Sequence, residues 1–548
     1  MFQSNPRELT ARLADKMKFS LYQATLILSC FYGLANTLAY DVLTNHNNTA
    51  RTGHVADEVI LTPANVAGLK ILYQNTVDGQ VYAQPLCVSN QPISNRGASE
   101  GKHDLVIVAT EHGSVYAFDA VTGTTYWQVS LLTQGYTPVS ASDPHVDCSD
   151  LVPEISITAS PVINRQAGPN GRIFVVVMET DGQGHYDYKL HALDLASGKD
   201  ALTPIVIAAS VAGKGPATTF TTTRERSRSA LLLLNGVIYI AFGSFCDEPP
   251  YAGWLLGYRE RDLSQVAVFN DNPNGSPASP DLPDGSGNGI WQAGLGPACD
   301  DNGNIYVASG NGPFDETLAG GFPANQDYGD SVIKLSTNNG LSVSGYFTPY
   351  NQQAEANNDR DLASGGVVVL PGIVGKNGVT HHLLVATGKD ANIYLLNADH
   401  LGRFNPSTNK IYQEIPAALG AGSWASCAFF NQSIYCSGYG VPLQRFKFDF
   451  SDPEKPVLDV TPAAQTVESF GYPGCTPSIS SNGKNDGIVW AYEYSSTTAV
   501  LHAFDPNTLS ELYNSGSLIG AGVKFAVPTV FSGKVYLGTA NSLVAFGL

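Results

Sequence analysis

From Leu69 to the C-terminus the chain is a succession of short apolar runs broken by turn formers, the pattern of strands joined by tight connections. One run recurs almost verbatim. Val115-Tyr-Ala-Phe-Asp119-Ala-Val-Thr-Gly123, followed by Trp127, returns as Leu190-His-Ala-Leu-Asp194-Leu-Ala-Ser-Gly198 and as Leu501-His-Ala-Phe-Asp505. Looser copies are Trp254–Tyr258, Val332–Leu335, Ile393–Asn397, Gln444–Phe448 and Leu543–Phe546. Each copy follows another apolar strand, such as Asp104–Ala109 or Lys534–Leu537. Before that comes a strand ending at a turn, such as Ser160–Asn164 or Val527–Phe531.

The anchors of that earlier strand are Pro85, Pro161, Ala230, Pro297, Gly366, Ala428, Pro477 and Pro528, spaced 49 to 76 residues apart. A lone four-stranded sheet exposes two apolar faces, and arranging such sheets radially buries each against its neighbours. The prediction is an all-β, eight-bladed β-propeller over residues 69–548 with long inserted loops. The final run, Ser542–Leu548, has no following strand, whereas Leu69–Val77 precedes the first anchor. The N-terminal strand is therefore expected to complete the last blade and close the ring, removing exposed edges. Residues 40–68 fall outside the repeat, and a strap across one face is the expectation.

Composition agrees with this class. The 548 residues include 55 Gly, 32 Pro, 26 Tyr and 23 Phe but only 14% charged residues, which favours strands and turns over helices. The formal charge of −18 repels phosphate backbones and anionic headgroups, so nucleic acid is not an expected partner.

At the N-terminus a basic, then apolar stretch runs from Met17-Lys18 to Leu38-Ala39. It is too short for a convincing span and ends in small residues, so residues 1–39 read as an export signal with Met17 as the natural initiator. A retained anchor is the alternative. The mature chain is expected to be a soluble monomer, periplasmic or secreted. Seven cysteines then remain, and one pair is legible. A two-residue turn at Asn431-Gln432 pairs Cys427 with Cys436 at roughly 4.5 Å between Cα atoms, within disulfide reach. Two reduced core thiols are the alternative.

The recurring Ala-Phe/Leu-Asp…Thr/Ser-Gly…Trp unit resembles the repeat of pyrroloquinoline quinone (PQQ)-type β-propellers, and the resemblance covers roughly Leu69 to Leu548. Asn45–Gly53 and Asp78–Pro85 look like a poorly characterised exported branch. That family includes quinoprotein alcohol dehydrogenases and a non-catalytic outer-membrane assembly lipoprotein, so the repeat implies fold more strongly than chemistry. The chain departs from the dehydrogenases in having no adjacent cysteine pair and no Cys-x-x-Cys-His haem attachment.

Loops entering each first strand and joining second to third strands converge on one channel mouth, where function gathers. There Arg228, Lys389 and Lys524 could hold an anion, with Trp291 or Trp424 as a stacking surface. Glu154 and Asp361 could hold a hard cation or act as bases. Tyr82, Gln84, Glu111, His112, Asp390 and Tyr472 share the mouth. The alternation of Arg224, Arg226 and Arg228 reads most simply as a solvated rim, and His46-Asn47-Asn48 as a network anchoring the strap.

Three functions follow. The first is a binding module taking a small anionic ligand, a glycan or a protein at the mouth. The second, implied by the resemblance, is a PQQ- and Ca²⁺-dependent dehydrogenase with Glu154 and Asp361 near the metal and Trp291 beneath the quinone. The third is an envelope protein-assembly scaffold.

Overall fold

Eight antiparallel sheets of four principal strands are arranged as the blades of a propeller in the computed structural model, which describes residues 40–93, 101–277 and 282–548. The expected export signal, 1–39, lies outside the described residues. Innermost strands start at Leu86, Val162, Leu232, Ala298, Val367, Ala428, Ser478 and Thr529, and define blades 1 to 8. Each start lies at its sequence anchor or within two residues after it. Proline suits this place because the first residue of a strand need not donate to the ladder.

The last blade is completed from the other end of the chain. Lys70–Thr76 pairs antiparallel with Ser542–Gly547, with Thr76 opposite Ser542 and Lys70 opposite Gly547. The innermost strands of blades 1 and 8 are adjacent, so the ring is closed.

Alternation along the central strands builds the core. In blade 1, Leu105, Ile107 and Ala109 face blade 2, whereas Val106 and Val108 face blade 8. Repeated around the ring, this gives eight buried apolar clusters among the described residues, one between each pair of neighbouring blades. The recurring motif has a packing purpose. Gly198 sits at φ +70, and a Cβ there would lie 2.5 Å from the Trp127 ring. The outer-strand Trp of blade 1 thus rests on the Ser-Gly turn of blade 2, its Nε1 donating to Leu195 O at 3.2 Å.

The segment after Tyr40 bonds to every blade, mostly at or beside the innermost strands. Val42 exchanges backbone bonds with Cys87, and Leu43, Thr49, Ala50, Thr52 and Gly53 accept from Ile163, Cys299, Val369, Phe429 and Ile479. Arg51 reaches Leu231 O in blade 3, and Glu58 accepts from Gly533 N in blade 8. His46 and Arg51 are fully buried. The His46 ring nitrogens lie 2.6 and 3.0 Å from the carbonyls of Arg51 and Pro477, so this trio anchors the segment.

Cys427 and Cys436 form a disulfide across a hairpin whose turn residues Asn431 and Gln432 both have positive φ. A second disulfide, Cys148–Cys246, ties the loop after blade 1 to blade 3 and was not legible in the sequence. Cys87, Cys299 and Cys475 are free and buried. Two disulfides are what an oxidising compartment permits. No helix among the described residues is long and apolar enough to cross a membrane.

Candidate functional site

Loops entering blades 2 to 8 enclose an open cleft of about 110 Å³ at the mouth. Arg226 and Arg228 come from the segment entering blade 3, and Asp247 from that blade's second-to-third connection. Trp291, Asp361, Trp424, Tyr472 and Phe525 precede blades 4 to 8, and Lys389 joins two strands of blade 5. Of the predicted ligand-holding set, the structure gathers Arg228, Trp291, Asp361, Lys389 and Trp424 in one cleft.

Trp291 is seated on glycine. A Cβ at Gly243 or Gly289 would come within 2.6 Å of the indole, and one at Gly310 would collide with it. Its Nε1 donates to Ser244 O at 3.0 Å. Three backbone segments without side chains therefore make room for a flat, fixed ring.

Beside Trp291 the cleft is acidic. Asp361 Oδ1 accepts from Asn311 N at 2.7 Å, and Oδ2 lies 2.6 Å from Lys389 Nζ. Lys389 also meets Asp359 at 2.6 Å. Burial alone would lower the Lys389 ammonium, but the two carboxylates raise it overall. Lys389 is thus engaged by carboxylates rather than offered to an anion. Burial, then the charge of Asp361, pushes Asp247 up, and Tyr251 donates to it at 2.8 Å. The side-chain oxygen of Asn311 is buried and has no partner.

The opposite side is cationic. Arg226 is 2% exposed and Arg228 7%, which corrects the expectation of a solvated rim. The cause is local. Glu225–Arg226 forms an extra strand on Gly243–Ser244, and the Cys148–Cys246 disulfide fastens the loop bearing Asp150 nearby. Arg226 Nη1 donates to Asp150 at 3.1 Å, whereas its Nε and Nη2 are buried with no partner. Arg228 stacks on Phe525, 3.7 Å from the ring centroid, and makes no ion pair among the described residues. Burial, with Arg226 adding to it, lowers Arg228 to about 10. Arg224 is only partly buried.

Other predicted residues lie elsewhere. Glu154 does not line the cleft with Asp361; it accepts from His112 Nδ1 at 2.9 Å, so the structure does not bring these two carboxylates into one site. Lys524 stands at the rim, 5.8 Å from the Tyr472 ring centroid, and burial lowers its ammonium. Gln84 turns inward to hold Asn45 and the His46 backbone. Fully buried Glu111 is raised to about 7 by burial, against lowering by Ser156 N–H and then by both arginines. Sequence reasoning missed Asp150, Asp247 and Phe525 as cleft residues. Asp247 lies on a connection of the predicted kind, and its neighbour Cys246 was the available signal.

No protein-family model and no curated protein sequence matches the chain. Among solved structures, quinohemoprotein alcohol dehydrogenase from Comamonas testosteroni is similar, with a TM-score of 0.60 and 15% identity over 92% of this chain and 80% of that one. The quinohemoprotein alcohol dehydrogenase ADHIIG from Pseudomonas putida HK5 has a TM-score of 0.57 and 13% identity, covering 93% and 80%. A europium-containing methanol dehydrogenase gives 0.57 and 14%, covering 93% and 98%. At such identities the shared property is the fold, an eight-bladed β-propeller.

Proposed function

We propose that the mouth cleft binds a small carboxylate-bearing ligand, held by Arg226 and Arg228 over the Trp291 floor, in a protein exported to an oxidising compartment. The observation that carries this reading is Arg228, which lines the cleft on Phe525 with no ion pair among the described residues, beside Arg226, whose Nε and Nη2 have no partner. Charged donors left unsatisfied in the interior cost more than 1 to 3 kcal/mol each, roughly, and a carboxylate accepts two of them in parallel. Tryptophan fluorescence tests it. Titration with citrate should give a saturable change that weakens about tenfold in Arg228→Gln. Equal titrations of the two proteins would overturn the reading.

A second reading, a quinoprotein dehydrogenase, is favoured by the acidic side of the cleft. The glycine-seated Trp291 suits a flat ring, and the unpartnered Asn311 oxygen beside Asp361 suits a hard cation. Asp361, Asp247 and Asn311 would supply the cation's oxygens, and Arg226 and Arg228 the quinone's carboxylate partners. The quinone, when bound, supplies a two-electron acceptor. Asp361 Oδ2, whose negative charge Lys389 balances beforehand, would take the proton given up by an alcohol. Glu154 has no part in this arrangement. Adding PQQ and Ca²⁺ to the purified protein should then give bound-cofactor absorbance and dye reduction with alcohols or sugars, lost in Asp361→Asn. Absence of both signals removes this reading and leaves the first intact.

A further inference from the structure

Resting on the carboxylate-site reading, we infer that the ligand is a short acidic saccharide, its uronate on the arginine pair and its next sugar ring on the aromatic wall beside it. That wall is Trp424, Tyr439 and Tyr472. Their rings meet edge to face, Trp424–Tyr472 at 5.3 Å and 69°, Trp424–Tyr439 at 6.5 Å and 71°, and Tyr439–Tyr472 at 6.1 Å and 86°. In an edge-to-face pair one ring's edge meets a single face of the other, so the three pairs occupy only part of the wall's faces. Tyr439 is 44% and Tyr472 38% exposed; among the described residues just one other large aromatic, Tyr350, is exposed. Concentrating open aromatic faces at a polar mouth is costly in water, and marks a surface that is covered in use.

The wall is continuous with the anion pair. Tyr472 packs on Phe525 at 6.3 Å, and Phe525 carries the Arg228 guanidinium. A pyranose has apolar faces of C–H groups and a rim of hydroxyls, so it can lie on an aromatic ring while its rim meets acceptors. Asp150 and Asp247 are such acceptors in this cleft. The net charge of −18 repels long polyanions, and the unengaged positive charge lining the cleft is confined to Arg226 and Arg228, so a short chain with one carboxylate fits best.

Calorimetric titration with cellobiouronate and other uronate-capped disaccharides, with glucuronate and cellobiose as controls, tests this. At least one uronate-capped disaccharide should bind ten times or more tighter than either control. Trp424→Ala should remove that advantage, costing the disaccharide at least tenfold more affinity than it costs glucuronate, and Arg228→Gln should weaken both. If no uronate-capped disaccharide exceeds glucuronate, or Trp424→Ala keeps the advantage, the saccharide inference is overturned while the carboxylate site stands. If glucuronate and citrate both fail to bind the native protein, the carboxylate reading falls and this inference with it.

Discussion

Tyr73 packs on Gly123: the strand that completes blade 8 rests its tyrosine on the Thr-Gly turn of blade 1, as Trp127 rests on Gly198 one interface further on. A Cβ at Gly123 would lie 2.7 Å from the Tyr73 ring, and the glycine sits at φ +74. Tyr73 Oη also donates to Asp119 O and Ala120 O at 3.2 Å. Closure therefore repeats the packing used between other blades.

Gly123→Ala should cost about 2 to 4 kcal/mol, combining left-handed strain with overpacking. Gly135→Ala, at φ +89 with open space around it, should cost about 1 kcal/mol from strain alone. Denaturant unfolding of both variants checks the difference. Equal costs would mean that the Tyr73 contact contributes nothing to closure.

Arg51 ties the central segment to the ring, donating to Thr44 Oγ1 and to the carbonyls of Asn45, Leu231 and Pro297. Arg51→Met strands several buried acceptors and should destabilise the fold by about 3 kcal/mol or more. Thermal melts in parallel with Thr122→Ala, on an exposed turn, give the comparison.

Glu111 should shape the pH response. Its folded pKa of about 7 lies above the ordinary 4.5, so the folded chain holds more protons across that window and stability falls as pH rises through it. The loss reaches up to about 3 kcal/mol above pH 7. His46, lowered to about 4 by burial, acts oppositely, losing its contribution as pH falls from about 6.5 to 4. Subtracting the Glu111→Gln melting profile from the native one isolates the falling limb. Carboxylate affinity should also weaken through pH 7 in the native protein and stay flat in the variant.

The two disulfides should differ in worth. Cys148–Cys246 spans 98 residues and Cys427–Cys436 nine. By loop entropy the first stabilises by about 4.7 kcal/mol and the second by about 2.6 kcal/mol. Paired Cys→Ser variants, compared by unfolding, should preserve that order, and only the first should disturb carboxylate binding, because it fastens the Asp150 loop.

The blades were legible because a radial core imposes one local pattern eight times, and a proline or small residue marks each innermost strand. Strand closure was legible for the same reason, as Ser542–Leu548 lacked a partner and Leu69–Val77 supplied one. The mouth was legible as a position but not as pairings. Nothing local in Arg226 tells that Glu225–Arg226 would form an extra strand, nor that a disulfide between residues 98 apart would bring Asp150 onto it. The contacts of Glu154 and Lys389 were not legible because their partners, His112 and Asp361, are chosen by loop conformation rather than by spacing.

Calorimetric titration of citrate into the native protein and Arg226→Met at low ionic strength tests the carboxylate site most directly. The account predicts single-site binding to the native protein and at least tenfold weaker binding to the variant. Equal affinity in the two proteins would contradict it.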